Sequence, residues 1–116
     1  MVRRSVRIKK TKTEEEAMLG LKGLFWNSEG LCDPNKHIFI QEMIMDERLD
    51  FIALSEAGRS NFATLFLNHL ASGIDFSWFC LPPHGRSGGM LVGFNCATLQ
   101  VKNVIAGDFS LIFHLR

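Results

Sequence analysis

Residues 50–56, Asp-Phe-Ile-Ala-Leu-Ser-Glu, place the strongest constraint on the fold. Phe51 to Leu54 run as four consecutive apolar residues, without the alternation of a half-solvated strand. A run of this kind between polar ends is expected of a central parallel strand covered on both faces. Upstream, Leu21 to Asn27 (LKGLFWN) reads as a second short strand, rich in apolar and aromatic residues. Between the two, Asp33-Pro34 is a helix start, with Asp33 as N-cap and Pro34 at the first helical position. The helix is expected to run to about Arg48, with Ile40, Met43 and Ile44 on one face. Strand, helix and strand in this order imply parallel strands joined by a right-handed crossover. The C-terminal ends of both strands, Asn27 and Glu56, then lie on one edge of the sheet.

Downstream, Gly58 to Asn61 reads as a turn, and Ser60 or Asn61 as the cap of a helix carrying Phe62, Leu65, Phe66 and Leu70. His69 falls on the apolar stripe of that helix and reads as a partly buried structural residue. Gly73 ends the helix. Phe76 to Leu81 reads as a strand stopped by Pro82-Pro83, and His84 to Gly89 as a loop. Three more short strands are expected at Met90–Phe94, Leu99–Val104 and Phe109–Leu115. The turn signals Asn95–Thr98 and Gly107-Asp108 suggest antiparallel hairpins that continue the same sheet. The predicted order is β-α-β-α-β-β-β-β, an α/β fold with a mixed sheet.

The chain has 116 residues, 47% of them hydrophobic and 22% charged, which fits one globular domain rather than a disordered chain. No apolar run approaches the roughly 18 residues that span a bilayer, so no membrane partner is expected. Charge is uneven. Residues 1–16 hold six basic groups and three acids, a balance of +3, while the other hundred hold seven basic groups and nine acids, a balance of −2. The folded part thus lacks a broad basic surface for phosphate backbones. Residues 1–17 read as a disordered basic and acidic arm, solvated or used for transit-like or nuclear targeting, and residues 18–116 as the domain. Cys32, Cys80 and Cys96 form no Cys-x-x-Cys, and a reducing, intracellular compartment, cytoplasmic or nuclear, is expected.

Two strand-end residues are candidates for chemistry. Glu56 is either a carboxylate for a divalent cation such as Mg²⁺, which takes one or two carboxylates with water and phosphate, or a solvated loop residue. Asn27 either orients a phosphate or a metal-bound water, or forms an Asx-turn that ends its strand. Gly85-Arg86-Ser87-Gly88-Gly89 matches neither a P-loop nor G-x-G-x-x-G, leaving a close backbone approach to a ligand or a flexible hairpin connection. The four histidines show no metal-ligand spacing.

Three segments resemble a known family. Trp26-Asn27 followed by Gly30-Leu31, Asp50-Phe51-Ile52-Ala53-Leu54-Ser55-Glu56, and Gly85-Arg86-Ser87-Gly88-Gly89-Met90-Leu91-Val92-Gly93 follow one another in the chain. In that order they resemble motifs of the endonuclease/exonuclease/phosphatase superfamily, and most closely those of plant LINE-type retroelement endonuclease domains. The resemblance covers about residues 21–116. It implies a DNase I-like α/β sandwich and Mg²⁺-dependent phosphodiester chemistry on nucleic acid. It also implies Glu56 as the metal ligand and Asn27 as the catalytic residue that assists at the phosphate or the metal.

The departures shape the expectation. Glu29 stands where the family usually has a basic residue, and Ser55 where it has Gln. The family's catalytic Tyr and its G-D-F-N and S-D-H motifs come later than this chain extends, and the chain contains no tyrosine. Gly107-Asp108-Phe109-Ser110 mimics G-D-F-N, but it comes too early and has Ser in place of Asn. The chain is therefore expected to be a truncated, partial sandwich, catalytically incomplete, with Mg²⁺ bound weakly or not at all. The alternative is a small protein- or nucleic-acid-interaction module on the same scaffold. In that reading the basic residues between 3 and 12 contact phosphates, and an exposed apolar sheet face favours self-association.

Overall fold

A computed structural model of the chain describes residues 5–10, 21–58, 61–83, 88–106 and 110–115. Along them run β1 (Ser5–Lys10), β2 (Gly23–Asn27), α1 (Pro34–Asp46), β3 (Phe51–Ser55) and α2 (Thr64–Leu70). These are followed by β4 (Phe76–Leu81), β5 (Met90–Asn95), β6 (Val101–Ala106) and β7 (Ser110–Leu115). The elements make a mixed α/β globule with two sheets, ordered β2-β3-β5-β4 and β1-β7-β6. No helix among the described residues is long and apolar enough to cross a membrane.

β3 is the central element, as its apolar run requires. It pairs in parallel with β2 on one side and antiparallel with β5 on the other. Its side chains alternate between two cores, because successive residues of a strand face opposite ways. Phe51 and Ala53 enter the core shared by the two sheets, together with Val92 and Phe94 of β5 and Phe113 of β7. The Phe94 and Phe113 rings there stand 4.7 Å apart, edge to face. Ile52 and Leu54 enter the other core, beneath Ile40 and Ile44 of α1 and Leu70 of α2.

Helix α1 starts as its sequence predicts. The Asp33 carboxylate accepts a hydrogen bond from the Asn35 N–H at 2.9 Å, and Pro34 takes the first position. The helix closes when the Glu47 N–H donates to the Met43 carbonyl, and Arg48 then turns through a φ of 50°. At this end the Lys22 ammonium lies 2.7 Å from the Glu47 carboxylate, and its hydrogen bond and charge hold that carboxyl below its ordinary range. Both side chains are about half exposed, so the pair adds little stability.

Four expectations need correction. Residues 5–10, read as part of a disordered arm, form β1, which pairs in parallel with β7. Four polar or basic residues in Ser5-Val6-Arg7-Ile8-Lys9-Lys10 conceal two β-branched residues at alternate positions, and the partner strand lies a hundred residues away. The rest of that arm, residues 1–4 and 11–17, lies outside the described residues. Second, the single continuing sheet holds for β4 and β5 but not for β6 and β7, which belong to the other sheet. β5 already has β3 on one edge and β4 on the other, so no ladder is left for β6. Asn95–Thr98 is a real turn, with the Asn95 carbonyl accepting from Thr98 and Leu99, but it leads from one sheet to the other. β6 and β7 are antiparallel, while Gly107-Asp108 between them lies outside the described residues.

Third, α2 begins later than expected, with Ala63 at the cap and no side-chain cap bond. Phe62 stacks on Phe66 at 5.7 Å, an apolar clasp in place of a polar cap. Asn61 stands before the helix, and Ser60 lies outside the described residues. Fourth, Leu65 and His69, placed by their spacing on the apolar stripe, are exposed.

The contact between sheets should dominate stability. Phe113→Ala removes a buried ring that touches Phe79 and Phe94, and is expected to cost about 3–5 kcal/mol. Phe25→Ala, at a side chain 57% exposed, should cost much less. Urea unfolding of both variants checks the contrast.

Candidate functional site

The parallel register of β2 and β3 pairs Asn27 with Ser55, so Asn27 and Glu56 stand at neighbouring strand ends, as expected. Main-chain and short side-chain hydrogen bonds hold the loops there. Ser28, 1% exposed, donates both its N–H and its hydroxyl to the Ser55 carbonyl, at 3.0 and 2.9 Å. The Gly30 N–H donates to the Glu56 carbonyl at 2.7 Å. Ala57 and Gly58 donate in turn to the carbonyls of Gly89 and Gly88, at 3.2 and 2.6 Å. The ends of all three motif segments are therefore joined at one edge of the sheet.

The glycine segment has a steric reason. A Cβ on Gly88 would lie 3.1 Å from the Glu56 Cα and 3.2 Å from its Cβ, so the motif's glycine lets the chain pass directly against Glu56. Gly89 has a φ of +85°, and a Cβ there would meet the Leu81 carbonyl at 3.0 Å. The close approach that Gly88 and Gly89 allow is to the protein's own Glu56 and Leu81. His84, Gly85, Arg86 and Ser87 lie outside the described residues.

Asn27 is exposed and Glu56 half-buried. The Asn27 Oδ1 accepts from the Glu29 N–H at 3.2 Å, an Asx-turn. Only the oxygen can accept that bond, so the orientation of the carboxamide is set, and its Nδ2 donors have no partner among the described residues. Glu56 itself has a φ of 52° and Glu29 a φ of 49°. Arg48 and Ser72 also adopt positive φ, but just past helix ends, where this conformation is ordinary. The two glutamates lie at strand ends instead, where strain of this kind tends to accompany function.

Among the described residues, no three His, Cys, Asp or Glu side chains converge on a point where a metal ion could sit. What the site offers is the Glu56 carboxylate and the Asn27 amide on residues at neighbouring strand ends. That donor set fits Mg²⁺, which keeps much of its water, better than it fits zinc, which needs a full set of protein ligands. Elsewhere, the His37 Nε2 bonds to the Leu31 carbonyl, and the His37 and His69 rings meet at 5.8 Å between the helices. An open groove of about 800 Å³ lies between β4 and residues 96–104, lined by Ser77, Phe79, Cys96 and Lys102, and contains none of the three motif segments.

Two contributors escaped the sequence reading. Ser28 is a polar residue whose burial depends on a strand 27 residues away. Lys36, in the first turn of α1, reaches back to the carbonyls of residues 28–30. A cation in a helix's first turn opposes the helix dipole, and that mismatch was the available signal.

No family model, curated protein or solved structure matches the chain.

Gly88→Val is expected to destabilise the protein by about 1–3 kcal/mol through overpacking against Glu56. It should also shift the Glu56 and Ala57 amide resonances more than those of β7. Thermal unfolding and a two-dimensional amide spectrum test both effects.

Proposed function

We propose that the chain is the metal- and phosphate-binding part of a Mg²⁺-dependent phosphodiesterase, an endonuclease-like domain of retroelement origin with a DNase I-like arrangement, and that this chain binds without hydrolysing. The observation that carries the reading is the meeting of the three motif segments at one sheet edge through main-chain bonds. Two sheets sharing one aromatic core accord with a sandwich of that type.

The chemistry follows from the donors present. The Glu56 carboxylate would hold the cation, and Mg²⁺, when bound, supplies a Lewis acid toward a phosphate oxygen. Asn27, with its oxygen engaged by Glu29, offers N–H donors to a non-bridging phosphate oxygen. Hydrolysis also needs a positioned base and water, each worth orders of magnitude in rate. This chain has no Asp or His at a family base position.

A second reading, a small interaction module, draws on Phe25. This residue is 57% exposed and pairs with Ala53, so it shares the inter-sheet face of its sheet. An apolar ring there favours self-association through the sheet face.

Titration with Mn²⁺ as a paramagnetic stand-in for Mg²⁺ should broaden the amides of Asn27, Glu29 and Glu56 first, and Glu56→Gln should abolish the effect. A plasmid-nicking assay with Mg²⁺ should remain at background. Broadening spread evenly over surface carboxylates would refute the metal site, and nicking lost in Glu56→Ala would refute the incompleteness. A dimer in sedimentation that dissociates on Phe25→Ser, together with absent Mn²⁺ binding, would favour the interaction module.

A further inference from the structure

Lys36 makes an unusual set of contacts. Its ammonium donates to the carbonyl oxygens of Ser28 at 2.6 Å, Glu29 at 3.2 Å and Gly30 at 3.2 Å. Three acceptors match the three donors of an ammonium. Among the described residues its partners are these main-chain carbonyls, and no carboxylate is paired with it.

The peptide planes show what this arrangement does. In a trans peptide the C=O and the following N–H point in opposite directions. The Ser28 carbonyl belongs to the same peptide as the Glu29 N–H, which holds the Asn27 Oδ1. The Glu29 carbonyl belongs to the same peptide as the Gly30 N–H, which holds the Glu56 carbonyl. One ammonium therefore sits at the oxygen ends of two peptides whose N–H ends grip the two candidate site residues. Drawing charge from those oxygens strengthens the donors at the far ends. The same contact holds Glu29 and Gly30 in consecutive left-handed conformations, with φ values of 49° and 88°, one of which is costly for a non-glycine residue.

We propose that Lys36 is a positioning residue, a built-in cation that orients Asn27 and Glu56 by aligning the two peptides between them. Its role at the site rests on the phosphate- and metal-binding reading above, whereas its effect on the loop does not. Without the ammonium, three carbonyl oxygens would converge on an empty position, a cage suited to a free ammonium or potassium ion. Lysine is matched to this cage, because the planar fork of arginine cannot aim at three oxygens around one point.

The test uses the full chain and the variants Lys36→Met and Lys36→Gln. Amide hydrogen exchange at Glu29 and Gly30 is expected to speed up roughly tenfold or more, as loss of hydrogen bonds from a charged group implies. The Asn27 carboxamide resonances should shift, while β3 and β5 amides stay protected. Ammonium chloride should slow the exchange again in Lys36→Met, and sodium chloride at equal ionic strength should not. Mn²⁺ broadening at Glu56 should weaken in both variants. If Lys36→Met fails to fold, Lys36→Gln, which keeps two donors without charge, decides the matter by the same exchange rates. Unchanged exchange at Glu29 and Gly30 would overturn the proposal, as would recovery that does not distinguish ammonium from sodium. Absence of Mn²⁺ binding in the unmodified protein would sink the metal-site reading alone, and the exchange data would still decide the loop role of Lys36.

Discussion

Burial of β3 on both faces sets the terms for the rest of the structure. Phe51, Ile52, Ala53 and Leu54 are each no more than 3% exposed, so neither face of the strand can be left to water. Each face needs its own cover, and the chain supplies helices for one and a second sheet for the other. The same strand is hydrogen-bonded along both edges, by β2 and β5. β5 in turn is paired with β3 and β4, so β6, which follows it in the chain, finds no ladder on β5 and joins the other sheet. The two-layered cover thus follows from one short strand with no free face, and the split into two sheets from the filled edges of its neighbour β5.

Where such a strand ends, its neighbours' ends collect, and their backbone groups must find partners over a very short span. The protein meets this need with turns in unfavourable conformations and with main-chain donors. Ser28 caps the Ser55 carbonyl, Gly30 caps Glu56, and residues 57 and 58 cap the glycine segment. Loops tied in this way hold side chains in defined places without a dense cluster of charged groups. The exposed Asn27 and the half-buried Glu56 then stand on segments tied by main-chain bonds. Lys36 extends the same logic from the helix side, adding a charge whose partners among the described residues are carbonyls.

Much of the fold was legible from local signals. The Asp33-Pro34 start, the strand at residues 51–55 and the β4 and β5 strands all rest on neighbours in sequence, and each was readable for that reason. β1 was hidden because its signal, Val6 and Ile8 among basic residues, means nothing without β7 beside it. The cap of α2 misled because a Ser-Asn pair is a good local cap, yet Phe62 stacking on Phe66 moved the helix start. At the site, Asn27 and Glu56 could be named from their strand-end positions. Ser28 and Lys36 could not, since their partners are carbonyls that only the folded loop brings together.

What the sequence by itself determined was the pattern of cover. An unbroken apolar run demanded two cores, and Pro, Gly and Asp at fixed offsets marked where elements begin and turn. These are short-range properties, written in composition and spacing. Tertiary structure alone decided which strands share a sheet, where β1 pairs, and that Gly88 lies against Glu56 while Lys36 faces three carbonyls. Those outcomes depend on the competition of distant segments for a few free edges and faces, and no local run of residues encodes the result of that competition.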